Sequence, residues 1–470
     1  MKNRFIHLLL ICTFSLYHLI SFSQKIGIGT LFPAGKLHIK GAENISQLII
    51  DANAIQGNTN PLIKLRDSSG TDLMWIHTDH PSNTFIGLHA GSLNDAGLGG
   101  TYNTFIGKEA GAFNTIGHDN AANGTYTLYS NTEGYENTAN GPSALYFNTI
   151  GYKNTAMGSG ALSANVSACL NTAIGTYALL SQSYDPGYPW ISGNVAVGYH
   201  ALGNNQPTST DNGVSNTAIG FNALQTNTIG YSNSAIGLNA LSSNSTGIWN
   251  TAEGVSALYS ATIGNLNTGI GVNALINIVG GSENTSLGVN SGTAPGSPNI
   301  SNTVSIGNNG YLNAATNQAF IGNLSTSWIG GQTNWFTYAS DARVKNDVQA
   351  DVSGLAFISR LKPVTYHLNI QAMREITGNE DTQDYPEKYD IEKIKQSGFL
   401  AQEVEQAAKQ SGYDFSGITI PKNARELYTM SYAQFVVPLV KAVQEQQTII
   451  EDQQSQIDRL VKRIEALEKK

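Results

Sequence analysis

The sequence predicts a mainly β protein, in which a repetitive β-roll or β-solenoid, completed by trimerisation, precedes an α+β C-terminal domain that ends in a parallel coiled coil. Three observations carry this prediction. A 17-residue Asn/Gly repeat fills the middle of the 470-residue chain. Charge is sparse in positions 83–339, which hold 2 Lys and 9 Asp or Glu, and dense in positions 340–470, which hold 17 Lys or Arg and 20 Asp or Glu. The last 35 residues follow a heptad pattern.

Composition excludes several classes of protein. The net charge is −8 and no basic run occurs, which argues against nucleic acid as the main partner because phosphate binding requires clustered Lys and Arg. Cys12 lies in a segment that we expect to be removed, so Cys169 remains alone and no intrachain disulfide is expected. No cofactor and no metal site are predicted: His77 and His80, with Asp79 between them, are interpreted as polar residues of the surface.

Residues 1–23 have the layout of a secretory signal peptide. A positive start at Lys2 and Arg4 precedes an apolar run, and Ser21 and Ser23 are small residues at −3 and −1 of the expected cleavage point. The alternative is a membrane anchor of about 20 apolar residues, which polar interruptions of the run disfavour. No later stretch is apolar enough to span a bilayer. The mature protein is therefore expected to be secreted or cell-surface, without a transmembrane segment.

Residues 24–82 form a separate β-rich segment. Apolar and polar residues alternate in several short blocks, such as Lys36–Lys40 and Pro61–Arg66. Ser68–Gly70 supplies a turn signal. This pattern predicts short strands and hairpins.

The 17-residue repeat occupies residues 83–339. The step is 17 residues from 103 to 171 and again from 216 to 284, with inserts near 185–192 and 204–213, and a period of this kind indicates a solenoid or array. Each copy of the repeat predicts one very short strand, followed by a glycine at which the chain can reverse its direction. Asn tolerates the left-handed conformation and also stacks in hydrogen-bonded ladders. The motif Asn-Thr-x-x-Gly, or a variant of it, begins at Asn83, Asn103, Asn120, Asn137, Asn154, Asn171, Asn194, Asn216, Asn233, Asn250, Asn267, Asn284 and Asn302.

Each repeat buries little by itself, and its Ala and Gly suit close contact with another copy of the chain. The cadence Asn-x-Ala-x-Gly-x-x-Ala-Leu, as in Asn171–Leu179 and Asn216–Leu224, resembles the head repeats of trimeric autotransporter adhesins, which form β-rolls. A glycine-rich low-complexity linker is the alternative, which the regular register opposes. Outward Tyr and Asn suit a carbohydrate or cell-surface ligand and equally a hydrated surface, so the ligand stays unknown.

Four sequence blocks mark the C-terminal region from residue 340 to residue 470. They are Ser340–Val348, Leu361–Tyr366, Gly398–Glu405 and Leu427–Tyr432, the last leading into Phe435–Val443. Together the blocks resemble the intramolecular chaperone domain of phage endosialidases and other tail spikes and fibres. The resemblance implies a domain that trimerises, helps the upstream fibre to fold, and cuts itself off.

The resemblance implies self-cleavage at the bond between Ala339 and Ser340, with Ser340 as the nucleophile and Lys345 as the general base. A serine hydroxyl needs a base to become nucleophilic, and lysine serves only if desolvation or a neighbouring cation lowers its pKa. Asp341 and Arg343 are candidate supporting residues. The alternative is a domain that trimerises without cleaving.

A heptad seam supports assembly independently of the resemblance, over residues 433–470. Rows of Ile and Leu usually favour a parallel dimer, but Gln446 and Gln453 interrupt one row and the resemblance implies a homotrimer. The alternative is one amphipathic helix packed on its own domain. The two rows, offset by three, are Val436, Val443, Ile450, Ile457 and Ile464, and Leu439, Gln446, Gln453, Leu460 and Leu467.

The function predicted from sequence is therefore a secreted or surface fibre, adhesin-like in its repeats, whose only reaction is one intramolecular cleavage. The competing class is an enzyme in the repeat region, such as a glycosidase. Glycoside hydrolysis usually requires a spaced pair of carboxylates, and this region has few. Asp185, Asp211 and Glu253 are the isolated candidates.

Overall fold

The computed structural model describes residues 26–28, 36–39, 48–52, 57–309, 312–327, 329–330, 340–378 and 388–469. The predicted signal peptide, residues 1–23, and Ala339 lie outside these residues. Within the described part of the chain, every helix is too short or too polar to cross a membrane.

Residues 84–321 form a β-solenoid with one three-residue strand in each of its fourteen described turns, which confirms the predicted fold class. Consecutive strands pair in parallel and in register. The strands are Thr84–Ile86, Thr104–Ile106, Ala121–Asn123, Thr138–Asn140, Thr155–Met157, Thr172–Ile174, Val195–Val197, Thr217–Ile219, Ser234–Ile236, Thr251–Glu253, Thr268–Ile270, Thr285–Leu287, Val304–Ile306 and Ala319–Ile321.

The middle residue of each strand faces the solenoid interior, and the two outer residues face outwards. In Thr217–Ile219, for example, Ala218 is fully buried while Ile219 is exposed. The interior is narrow, because it is filled by columns of Ala and Leu such as Ala218, Ala223 and Leu224. Stacked Phe85 and Phe105 replace this small-residue packing in the first two turns.

A buried column of asparagines precedes the strands and ties each turn to the next. The backbone N–H of Asn120 donates to Oδ1 of Asn103 at 3.0 Å, and that of Asn137 donates to Oδ1 of Asn120 at 3.0 Å. The side-chain amide of Asn120 also donates to the carbonyl of Gly134 at 2.9 Å. The first ladder therefore satisfies backbone and side-chain groups that would otherwise be unpaired in the core.

A second asparagine column runs eleven residues after the first. Asn131 Nδ2 donates to Oδ1 of Asn114 at 2.6 Å, and Asn148 Nδ2 donates to Oδ1 of Asn131 at 2.9 Å. Gln182 continues this second ladder at the first insert, where its Oε1 accepts from Asn205 at 3.1 Å. The members are Asn94, Asn114, Asn131, Asn148, Asn165, Gln182, Asn205, Asn227 and Asn244.

The last predicted repeat start is wrong by one residue. Asn302 is exposed in a left-handed conformation, and Thr303 takes the buried ladder position before the strand Val304–Ile306. Both the backbone N–H and the hydroxyl of Thr303 donate to Oδ1 of Asn284, at 3.2 and 2.7 Å. Threonine has no side-chain amide, so the asparagine ladder ends at Thr303.

The two inserts lengthen individual turns without disturbing the register of the sheet. Asn194 follows Asn171 by 23 residues and Asn216 follows Asn194 by 22, yet both keep the ladder hydrogen bond. The first insert adds the strand Trp190–Ile191, which pairs in parallel with Ala168–Cys169.

An antiparallel hairpin covers the N-terminal edge of the solenoid sheet. The strands Ile63–Arg66 and Asp72–His77 flank the predicted turn, and the second pairs with Thr84–Ile86. Further upstream, Ile26–Ile28 pairs in parallel with Leu37–Ile39. Covering an edge in this way removes unpaired backbone groups that would otherwise attract other strands.

Asp79 ends both asparagine ladders at this edge. Its Oδ1 accepts from Asn83 at 2.7 Å, and its Oδ2 accepts from Asn94 at 2.8 Å and from Asn58 at 3.0 Å. A carboxylate suits this place, because it accepts hydrogen bonds and has none to donate. Nearby His77 is buried against Phe85, so its predicted place on the surface is wrong.

The C-terminal region is α+β. Its core consists of Phe357, Val404, Ala407, Ala408, Phe415 and Phe435. The helices are α1 (Leu355–Ile358), α2 (Ile370–Thr377), α3 (Ala401–Gln410) and α4 (Val436–Glu468), with 3-10 turns at Ala342–Val344, Asp390–Lys393 and Tyr432–Phe435. The antiparallel pairs are Val364–Tyr366 with Gln396–Gly398 and Ile418–Thr419 with Thr429–Met430.

Candidate processing site and assembly helix

Ser340 and Lys345 lie side by side at the start of the C-terminal region. A 3-10 turn, Ala342–Val344, reverses the chain between them, and Asp341 caps this turn by accepting from the backbone N–H of Arg343. Lys345 Nζ donates to Ser340 Oγ at 3.1 Å. The structure therefore brings the predicted nucleophile and base within hydrogen-bonding distance inside one chain.

Arg343 points to Asp341 rather than to Lys345. Its guanidinium donates to both carboxylate oxygens of Asp341, with Nη2 at 2.6 Å from Oδ2. This pairing lowers the pKa of Asp341 and raises that of Arg343. The carboxylate of Asp341 therefore offsets the charge of Arg343. Arg343 is the cation nearest to Lys345 in the sequence, and it is already paired with Asp341.

Every residue from 340 to 350 is exposed in the single chain. Water reaches both Ser340 and Lys345, whereas a lysine base requires desolvation or a neighbouring cation. The described part of one chain therefore supplies the contact between the two side chains but leaves both of them open to water.

Helix α4 carries the predicted heptad seam as a continuous helix of 33 residues. Its length is consistent with a coiled coil. The predicted seam residues are 50–65% exposed in one chain, so they form an uncovered apolar face. These residues are Val443, Ile450, Ile457, Leu460, Ile464 and Leu467.

The first turns of α4 are fixed to the domain core. Phe435, directly before the helix, packs edge-on against Phe415 at 4.7 Å between ring centroids. Glu445 on α4 accepts from the backbone N–H of Leu355 at 2.8 Å and so caps α1. Sequence reasoning missed Glu445; the only signal was one acidic residue in an otherwise apolar and amide-rich stretch.

The three isolated carboxylates of the repeat region lie in different turns of the solenoid. Asp185 accepts from the N–H of Gly187 in the first insert, Asp211 lies in the second insert, and Glu253 ends a strand with its side chain exposed. Each of the three carboxylates therefore has different neighbouring residues.

Comparison with known proteins identifies the C-terminal region. No curated protein and no solved structure matches the chain. Residues 340–413 match the model of the peptidase family described as the chaperone of endosialidase, so the predicted resemblance is confirmed for this segment. Such a domain implies trimer formation. The chain therefore combines a β-solenoid that fits a fibre or spike repeat with a C-terminal chaperone-of-endosialidase domain.

Proposed function

We propose that the protein is a secreted, trimeric fibre whose C-terminal domain joins three chains and then cuts itself off between Ala339 and Ser340. The observation that carries this proposal is the 3.1 Å contact between Lys345 Nζ and Ser340 Oγ. The contact lies at the residue where the family match begins.

The chemistry is an acyl shift followed by hydrolysis. Ser340 Oγ attacks the carbonyl carbon of Ala339, while neutral Lys345 accepts the hydroxyl proton and passes it to the departing α-amino group of Ser340. Water then hydrolyses the resulting ester. One peptide bond and one water are consumed, and a new carboxyl group and a new amino group are formed.

Cleavage is expected to follow trimer formation. Both side chains of the dyad are exposed in one chain, and lysine acts as a base only where its charged form is disfavoured. Neighbouring chains are the available source of that burial. This order would keep the chaperone attached until the three chains have met.

Intact mass of the purified protein tests the dyad. The parent chain should yield fragments that end at residue 339 and begin at residue 340. Ser340→Ala should remain full-length, and so should Lys345→Arg, which keeps the positive charge but is not a base at neutral pH. Arg343→Ala is the matched control, because its partner is Asp341, and should still be cleaved.

The outcomes separate two functions. If Ser340→Ala and Lys345→Arg both release the fragment, the dyad is wrong. If the parent chain is trimeric but stays full-length, the protein is a non-cleaving structural fibre. The same spectrum tests secretion, because signal removal should give a mature chain that begins at residue 24.

A further inference from the structure

A strip of exposed apolar side chains runs along the C-terminal half of the solenoid. It has two neighbouring columns: the third residue of each strand, and the residue that follows the glycine after that strand. Ten members are 38–51% exposed. We call these residues the apolar strip: Ile219, Ile236, Leu287 and Ile306 in the first column, and Tyr199, Phe221, Leu238, Val255, Val272 and Val289 in the second.

The solenoid places the side chains of the strip one above another in successive turns. Tyr199 and Phe221 stack at 5.1 Å between ring centroids, which shows that the second column continues from turn to turn. Seven strands, from Val195–Val197 to Val304–Ile306, span the strip. At the usual strand spacing its length is about 29 Å.

The second column is mostly polar in the N-terminal half. Lys108, Thr125, Ser159 and Thr176 occupy it there, whereas every member from Tyr199 to Val289 is aromatic or aliphatic. The first column is apolar at most turns of both halves, as at Ile106 and Met157, with Asn123 and Asn140 as polar exceptions. The fold is the same in both halves, so folding alone does not explain why the second column is apolar only in the C-terminal half. A function confined to the C-terminal half does.

The strip is larger than the apolar patches that monomers usually expose. The exposed fractions correspond to roughly 800 Å² per chain, whereas the largest apolar patch of a typical monomer is about 300–600 Å². Glu253 is the one charged residue within the strip, and Val255 supplies the apolar surface at that turn.

We propose that the apolar strip packs against the same strip of two other copies of this chain. The proposal rests on the trimer of the proposed function and locates its contact surface in the solenoid. Side chains that repeat at the strand spacing fit best against a surface with the same spacing, which a second copy provides. The N-terminal half, with its mostly polar second column, then stays open to solvent and ligands.

Disulfide cross-linking in the full chain tests this surface. Ile236→Cys places a thiol in the strip, and Asn140→Cys places one at the same strand position in the N-terminal half. The parent chain is the blank, because Cys169 is buried and Cys12 lies in the segment expected to be removed. After mild oxidation and thiol blocking, Ile236→Cys should form covalent dimers on a denaturing gel, while Asn140→Cys and the parent should not.

Ile457→Cys, in the seam of α4, separates this proposal from the trimer itself. Cross-linking at residue 457 without cross-linking at residue 236 would overturn the strip but keep the trimer. Cross-linking at neither residue would overturn both. Adding Leu238→Asp to Ile236→Cys should abolish the strip cross-link, and adding it to Ile457→Cys should leave the seam cross-link intact; equal loss at both would contradict the proposal.

Discussion

Several buried leucines of the solenoid adopt a left-handed backbone conformation, which is unusual for a residue with a side chain. Leu145, Leu162 and Leu179 have φ values of 51–53° and are fully buried. This conformation costs roughly 1–2 kcal/mol for a residue with a Cβ. Full burial of a leucine side chain contributes about 1.5–3 kcal/mol, and the N–H of Leu145 also donates to Ala161 in the next turn at 3.0 Å. Burial and cross-turn hydrogen bonding therefore outweigh the strain.

His77 makes the N-terminal cap of the solenoid sensitive to pH. Burial lowers its pKa, against the opposing effect of the nearby Asp79 carboxylate. The unfolded histidine takes up a proton as the pH falls through its ordinary pKa of about 6.5, whereas the folded one does so only at a lower pH. Stability is therefore complete above about pH 6.5 and falls as the pH drops below it.

We expect the strands around His77 to exchange amide hydrogens faster at pH 5.5 than at pH 7.5, after correction for intrinsic rates. His77→Leu should remove this extra loss of protection. His80→Gln is the control, because His80 is exposed, and should retain the loss. Equal protection of the parent cap at both pH values would refute the prediction.

At the scale of the element, the pair of asparagine ladders adds side-chain contacts between turns to those of the backbone. Backbone hydrogen bonds also join the turns outside the three-residue strands, as from Gly111 to Thr127, and the buried amides add a second set of cross-turn hydrogen bonds. The second ladder stops at Ala261, where Asn244 Oδ1 has no hydrogen-bond partner among the described residues. Substituting an asparagine inside this ladder should therefore cost more stability than substituting the asparagine at its end.

Asn131→Leu should destabilise the solenoid more than Asn244→Leu does. The interior change leaves Asn114 Oδ1 without its donor and takes the acceptor from Asn148 Nδ2, and each orphaned group costs about 1–3 kcal/mol. The terminal change moves an existing unpaired oxygen from Asn244 to Asn227. Thermal unfolding midpoints of the two variants provide the comparison, and a lower midpoint for Asn244→Leu would contradict the ladder argument.

The sequence predicts the repeat well because its signal is periodic. The 17-residue step, the Asn before each strand and the Gly after it all have direct physical causes. Asp79 was harder to recognise, since its role depends on where two columns end rather than on its neighbours His77 and His80. The start at Asn302 was misplaced because Thr303 performs the same hydrogen bonding. The Ser340–Lys345 contact followed from a motif, but its exposure is visible only in three dimensions.

At the scale of the whole molecule, folding and assembly are expected to depend on each other. Each turn of the solenoid pairs in parallel with the turns before and after it, so a turn gains its cross-turn hydrogen bonds only once a neighbouring turn is in place. Helix α4 presents its seam without needing the solenoid. Joining three chains at α4 first would raise their local concentration and fix a common register.

Expression of residues 24–339 alone should then give aggregates or monomers. Removing residues 340–470 after the full chain has folded should leave a stable trimer, because the template acts on the rate rather than on the final stability. Mass in solution and protease resistance distinguish the two samples. A protease-resistant trimer from residues 24–339 expressed alone would show that the C-terminal domain is dispensable for folding.

The in-register ladder also constrains how such a molecule can change in length over evolution. A duplicated block of 17 residues brings its own ladder rung, strand and glycine, so it extends the stack by one strand spacing, about 4.8 Å, and leaves both ends unaltered. Shorter additions are accommodated where the chain already departs from the period, as between Asn171 and Asn194. Gene duplication can therefore change the length of the solenoid in steps of one turn. Neither the cap at Asp79 nor the C-terminal domain has to change.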